Sequence, residues 1–530
     1  MLRTRPGRRA LWMVVVATLT LAAPGAVPAF AYGGHPEVVA TDKGAVRGST
    51  DADGRTFRRI PYAAPPVGDL RWRAPRPAPA WSGVRDATAK GPACAQEQFA
   101  PLRQPRVTNE DCLYLDVYTP PAPVTHRPVM VYLHGGAYAN GTGSEFDGSA
   151  LARHGAVVVT VDFRMGVFGF LGLPGLSGED PQAKSGDYGL LDEEAALRWV
   201  RRNAAAFGGD PGRVTVFGQS SGGESVCSLL TSPPAAGLFA RAIIQSGQCV
   251  LVTSTLPQAE TVGTAFATKT GCTAQADVVA CLRAKTPAEL LDGVAATPEL
   301  AGPNQVWSPA VGTPTLPTAP AAAIAAGTYS RVKVLIGTVL DEGTILTAIA
   351  TYGLTVDENL YHVMMAGWFG ADVPAVEAQY PLAGYGGNYG ATLSAILGDW
   401  LASCPDDGFK RSLAKTTRTY AYEFADRTAP NLYPLTPGFP LGAYHASELV
   451  YLAPQPILPL NADQTGLSEQ ILSYWVTFAA TGNPNNASAP KWTRFTADHP
   501  VVQTLDIGRT RGGTGFATRH HCGFWAGLTG

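Results

Sequence analysis

Short runs of bulky apolar residues, too short for buried helices and separated by amphipathic segments, most constrain what this chain can fold into. They are Val129-Met-Val-Tyr-Leu133, Ala156-Val-Val-Val-Thr-Val161, Arg213-Val-Thr-Val-Phe217 and Ala242-Ile-Ile-Gln-Ser246, with a helix-like stretch from Asp192 to Phe207 among them. Runs without polar alternation belong to strands buried on both faces, and helices between them supply the cover, so the expected class is α/β with a mainly parallel sheet. Val332-Lys-Val-Leu-Ile336 and Thr419-Tyr-Ala-Tyr-Glu-Phe424 read as later strands of the same sheet. Loops beyond the carboxyl ends of such strands are where a site forms.

The termini and charge narrow the setting. Arg3, Arg5, Arg8 and Arg9 precede an apolar stretch from Ala10 to Ala23 and the small-residue segment Ala29-Phe30-Ala31. This pattern predicts an export signal over residues 1–31, with the mature chain starting at Tyr32 and the Sec or twin-arginine route left open. The apolar run is shorter than the ~20 residues a membrane span needs. A formal charge of -2 without a basic cluster gives no footprint for nucleic acid or for stable membrane association. No repeat, charge block or low-complexity linker divides residues 32–530, which are expected to form one domain. Oligomeric state is not legible.

Eight cysteines in an exported chain lead to an expectation of disulfides. Cys94 and Cys112 bracket a Gln- and Pro-rich loop, Cys272 and Cys281 bracket a short one, and Cys404 is left to tie the main body to Cys522. Cys227 and Cys249 remain, either as buried free thiols or as a fourth bridge. Metal-binding spacings are lacking; the nearest approach, His520-His521-Cys522, reads as an ordinary exposed tail.

Candidate chemistry begins at Gly218-Gln-Ser220-Ser221-Gly222, set between the strand-like Arg213–Phe217 and a helix-like run from Glu224 to Leu230. A serine in a tight strand-to-helix turn presents its hydroxyl above the sheet, and the strained turn requires small flanks, here Gly218 and Gly222. Such a hydroxyl needs a base, and the base needs a carboxylate to hold its tautomer. Asp341-Glu342 follows the strand ending at Ile336, and His445 lies in Tyr444-His-Ala-Ser-Glu448, after Phe424. His134-Gly135-Gly136-Ala137-Tyr138 directly follows the strand ending at Leu133 and offers backbone N–H groups for an oxyanion. Ser246, ending another strand, either supports this group or merely terminates the strand.

Further segments carry a resemblance: Phe57-Arg-Arg-Ile-Pro-Tyr-Ala-Ala-Pro-Pro-Val-Gly68, Glu110-Asp-Cys-Leu-Tyr-Leu-Asp-Val117, Gly186-Asp-Tyr-Gly-Leu-Leu-Asp192, the Asn203 to Pro211 stretch and Tyr474-Trp-Val-Thr-Phe478 with Thr481-Gly-Asn-Pro484. From about residue 36 onward the chain resembles the type B carboxylesterases, the α/β-hydrolase branch that includes cholinesterases, bile-salt-activated lipases and the non-catalytic neuroligins. The resemblance implies Ser220 as nucleophile, Glu342 rather than Asp341 as the acid, and His445 as the base. It implies Gly136, Ala137 and Ser221 as oxyanion donors, and bridges Cys94–Cys112, Cys272–Cys281 and Cys404–Cys522. It implies a small-molecule or lipid-like ester substrate, short- to medium-chain, with no cofactor and no metal needed. Binding proteins of the neuroligin kind typically lack the nucleophile, whereas all three triad positions are filled here.

Three departures stand out. Ser221 replaces the usual alanine, where only the backbone N–H is required, so activity is expected to survive with altered packing. Asp162-Phe-Arg-Met replaces Asn-Tyr-Arg-Leu, which reads as packing. The loop from Ala95 to Asp111 has Phe99 as its only aromatic and no tryptophan to hold a quaternary ammonium, which disfavours choline esters.

Overall fold

The runs that lack polar alternation become the middle of an eleven-stranded sheet. In the computed structural model its strands are β1 (Ser49–Thr50), β2 (Arg55–Pro61), β3 (Tyr114–Thr119), β4 (Arg127–Leu133), β5 (Val157–Val161), β6 (Gly209–Gln219), β7 (Arg241–Gln245), β8 (Lys333–Val339), β9 (Thr419–Phe424), β10 (Val502–Leu505) and β11 (Arg511–Gly513). Their spatial order is β11-β10-β9-β8-β7-β6-β4-β5-β3-β2-β1. The stretch from β10 to β5 is parallel throughout, and antiparallel strands finish both edges. The structure describes residues 37–121, 124–180, 185–295 and 306–528. They belong to one compact unit, Pro36–Gly530. The export-signal reading lies outside the described residues.

Alternate side chains of each central strand go to opposite faces, and both faces are covered. Val129, Val131, Val216 and Ile244 join Leu197, Trp199 and Leu229 from α1 (Tyr188–Asn203) and α2 (Ser221–Thr231). Met130, Tyr132, Phe217 and Ile243 join Ile471, Leu472 and Trp475 from a long later helix, Ala462–Thr481. Among the described residues no helix is long and apolar enough to cross a membrane.

Chain order and sheet order part company at β4, whose neighbours are β5 on one side and β6 on the other. A parallel sheet opens a crevice at such a reversal, beyond the carboxyl ends of its strands. Leu133, the last residue of β4, leads directly into His134-Gly135-Gly136.

Cys94–Cys112, Cys272–Cys281 and Cys404–Cys522 are bonded, and Cys227–Cys249 forms a fourth bridge with Cα atoms 5.8 Å apart. The two cysteines left open by spacing are therefore paired rather than free. His520 overturns the reading of an exposed tail. It is buried, with Nδ1 2.5 Å from Asp399 Oδ1 and Nε2 2.7 Å from Glu423 Oε1. Burial disfavours its imidazolium, but the two carboxylates outweigh that cost and raise the ring to about 9.

Candidate active site

Ser220 stands between β6 and α2 with φ 59° and ψ -130°, a left-handed conformation that a side chain adopts only under constraint. The constraint is visible on both flanks. A Cβ on Gly218 would lie 2.4 Å from the Gly222 carbonyl oxygen, and one on Gly222 would lie 2.1 Å from the Leu133 carbonyl oxygen. The Ser220 N–H donates to the Gln245 carbonyl at 2.9 Å, and its own carbonyl accepts from the Glu224 N–H at 3.0 Å. The turn is thus fixed by neighbouring backbone, and its serine side chain lines a cavity of about 1680 Å³.

His445 lines the same cavity, and its Nδ1 lies 2.6 Å from Glu342 Oε2. Glu342 is fully buried in the turn between β8 and α3 (Gly343–Ala350), and its Oε1 accepts the Val339 N–H at 3.0 Å. Burial lowers the basicity of His445; the Glu342 carboxylate, by charge and hydrogen bond, reverses this and raises the ring above its ordinary value. Asp341, one residue earlier, faces elsewhere. It takes a bidentate pair from Arg427 at 2.7 and 2.8 Å and accepts the Ala443 N–H at 2.9 Å, tying down the segment that carries His445. The two adjacent carboxylates therefore divide the work: Glu342 meets the imidazole and Asp341 holds its loop.

The loop after β4 presses against the serine. A Cβ on Gly135 would come within 2.7 Å of the Gln219 carbonyl oxygen and 3.0 Å of Ser220 Cβ. Gly136, Ala137 and Tyr138 all have positive φ, at 114°, 53° and 57°. Among the described residues the N–H groups of Gly136 and Ala137 have no protein acceptor. His134 stacks on Phe163 at 4.4 Å between ring centroids, and burial lowers its ring to about 4, so it is neutral at pH 7.

Several contributors escaped sequence reasoning. Glu448 is buried, with Oε1 3.2 Å from Gln245 Nε2; burial first, and then the Glu342 charge, raise its carboxyl to about 7. Gln96, from the first disulfide loop, pairs its side-chain amide with both backbone groups of Gly141, at 2.9 and 3.1 Å. Asp162 does more than pack: it accepts from Thr142 Oγ1 at 2.6 Å and the Gly143 N–H at 2.8 Å, ordering the loop that runs on from Gly141. Ser246 directly follows β7 with φ 47°, and its Oγ has no partner among the described residues.

The cavity wall also includes Phe99, Trp307, Trp368, Trp400 and Leu397. A strained serine, a buried imidazole–carboxylate pair and unbonded backbone donors at one end of a parallel sheet suit acyl transfer. Known proteins agree. Residues 35–525 match the carboxylesterase family. The para-nitrobenzyl esterase of Bacillus subtilis (strain 168) is 36% identical over 502 residues, spanning 89% of this chain and 95% of that one. The fumonisin B1 esterase of Sphingopyxis macrogoltabida is 34% identical over 487 residues, spanning 89% and 87%. A solved PNB esterase superposes with a TM-score of 0.77 at 32% identity, covering 92% of this chain and 98% of that chain. The chain belongs to the carboxylesterase family, with the α/β-hydrolase fold, and is a carboxylic-ester hydrolase.

Proposed function

We propose that this is a secreted serine carboxylesterase of short- to medium-chain esters, with Ser220 as nucleophile, His445 as general base and acid, and Glu342 as the carboxylate that holds it. The observation that carries the assignment is the 2.6 Å contact of His445 Nδ1 with the buried Glu342, in the cavity that Ser220 lines. Ser220 Oγ attacks the ester carbonyl while its proton passes to His445 Nε2, giving a tetrahedral oxyanion. The N–H groups of Gly136, Ala137 and Ser221 stabilise that oxyanion, each donor worth on the order of 10²- to 10³-fold in rate. The carbonyl re-forms as the alcohol leaves with the proton from His445. Water then attacks the acyl-enzyme, gives its proton to the same nitrogen, and the acid departs as Ser220 is restored.

The aromatic and aliphatic wall favours apolar acyl chains, and the cavity is larger than a short-chain ester requires. The absence of tryptophan from the loop between Cys94 and Cys112 disfavours choline esters. Four disulfides are compatible with an extracellular setting, and the first 31 residues would direct export, leaving residues 32–530 as the catalytic domain. The test is hydrolysis of p-nitrophenyl esters from acetate to palmitate by wild type and Ser220→Ala. Turnover greatest from acetate to octanoate and lost in the variant is expected. Activity retained by Ser220→Ala, or a maximum at palmitate, would contradict the proposal.

A further inference from the structure

We infer that the Ser221 hydroxyl is a positioning group for the oxyanion donors, which goes beyond the family pattern of an alanine at this position and rests on the function proposed above. The Tyr138 N–H donates to Ser221 Oγ at 3.2 Å, joining the first residue of α2 to the loop after β4. Both residues are about 1% exposed, so no water competes for this bond. From the other side, the Tyr138 carbonyl accepts the Gly166 N–H at 2.6 Å, and the Tyr138 ring packs edge-on against Phe170. Tyr138 is thereby held through both its backbone N–H and its carbonyl.

What is held is a conformation that the chain resists. Ala137 and Tyr138 are consecutive non-glycine residues with positive φ, a costly pairing that persists only when surrounding bonds impose it. Those dihedrals, with φ 114° at Gly136, fix the path of the loop that carries the unbonded N–H groups of Gly136 and Ala137. Ser221 therefore acts twice: its backbone N–H is one proposed donor, and its hydroxyl sets the geometry of the other two. An oxyanion hole works because its donors are fixed before the charge develops. A hydroxyl that removes freedom from two donors acts on the transition state and leaves ground-state binding nearly untouched.

Other anchors of the loop do not depend on Ser221. The Ala139 and Asn140 N–H groups bond the Gly136 carbonyl, and Gln96 holds Gly141. Ser221→Ala should therefore fold and keep the loop, but leave the Tyr138 N–H without its acceptor and the donors less well aimed.

The experiment compares wild type, Ser221→Ala and Ser220→Ala on p-nitrophenyl butyrate, with the inhibition constant of an alkyl trifluoromethyl ketone measured alongside. That ketone adds to Ser220 Oγ and places a hemiketal oxyanion in the hole. For Ser221→Ala, kcat is expected to fall about tenfold with KM within about twofold, and ketone affinity to fall by the same factor as kcat/KM, a fraction of the loss of a whole donor. A kcat within about twofold of wild type would overturn the inference, as would a lower kcat with unchanged ketone affinity. Turnover surviving in Ser220→Ala would instead overturn the underlying assignment; loss in Ser220→Ala beside an indifferent Ser221→Ala would reject the Ser221 role alone.

Discussion

Replacing Glu342 by glutamine tests the proposed triad sharply, because the structure dictates which way the new amide must face. Glu342 Oε1 accepts the Val339 N–H at 3.0 Å, while Oε2 lies 2.6 Å from His445 Nδ1. In glutamine, the carbonyl oxygen belongs on the Val339 N–H, since an NH2 there would confront another donor. The NH2 then donates to Nδ1 and drives the ring proton to Nε2, filling the lone pair that must take the Ser220 proton. A wrong imidazole tautomer of this kind lowers kcat by about 10⁴ in a serine protease, about 5 kcal/mol of transition-state stabilisation at about 1.4 kcal/mol per factor of ten. The flipped amide restores the tautomer but leaves a buried donor facing Val339, at a cost of about 1–3 kcal/mol. That admits a productive fraction of roughly 1–20%, and the charge that supports the imidazolium is still missing, so most of the remaining loss comes from that charge. The expected fall in kcat for Glu342→Gln is therefore about 10³- to 10⁴-fold on p-nitrophenyl butyrate, with the folded state checked by thermal melting. A folded variant losing less than about 30-fold would refute the reasoning, because His445 would then not depend on Glu342 for its tautomer.

The remaining predictions concern titration and cross-links. As the proposed base, His445 would have to be neutral to act and its pKa is raised, so kcat/KM should fall on acidification with a midpoint above the ordinary imidazole value of about 6.5. Glu448→Gln removes the charge that this carboxyl carries above about pH 7 and that favours the imidazolium, and should move that midpoint to lower pH; a pH–rate profile checks both, and a midpoint at or below 6.5 in wild type counts against the first. His520 keeps its proton to about 9 when folded, so its contribution is complete below about pH 6.5 and lost as pH rises through 9. Melting temperature should decline across that window, and His520→Gln should flatten the decline. Cys404–Cys522 closes a separation of 118 residues against 9 for Cys272–Cys281. Chain entropy then makes Cys404→Ser with Cys522→Ser costlier than the other pair by about 2 kcal/mol, read by denaturant unfolding.

What was legible in the sequence was whatever leaves a local trace. Val129–Leu133 and Ala156–Val161 announce buried parallel strands because both their faces must be apolar, and Gly218 and Gly222 announce the turn because nothing larger fits between Leu133 and α2. Where the deciding partner is distant in sequence, the trace disappears. Asp341 and Glu342 are equivalent acids at a strand end until Arg427, 86 residues away, claims the first. His520 looks like a solvated tail until Asp399 and Glu423 enclose it, and Asp162 looks like packing until Thr142 turns toward it. Cys227 and Cys249 meet because β6 and β7 are neighbours, so that α2 and the segment after β7 start side by side.

The same contrast bears on Ser221, which stands where the family resemblance leads one to expect alanine. The site's groups come from the ends of β4, β6 and β8 and from the segment after β9, and parallel pairing brings those ends to one rim whatever the loops contain. Coarse convergence is thus a property of the sheet. The final ångström is set by bonds between loops: Asp341 to Ala443 for the segment carrying His445, Gln96 to Gly141 and Ser221 to Tyr138 for the loop after β4. Substitutions next to Ser220, the proposed nucleophile, should therefore alter kcat well before they alter which residues react.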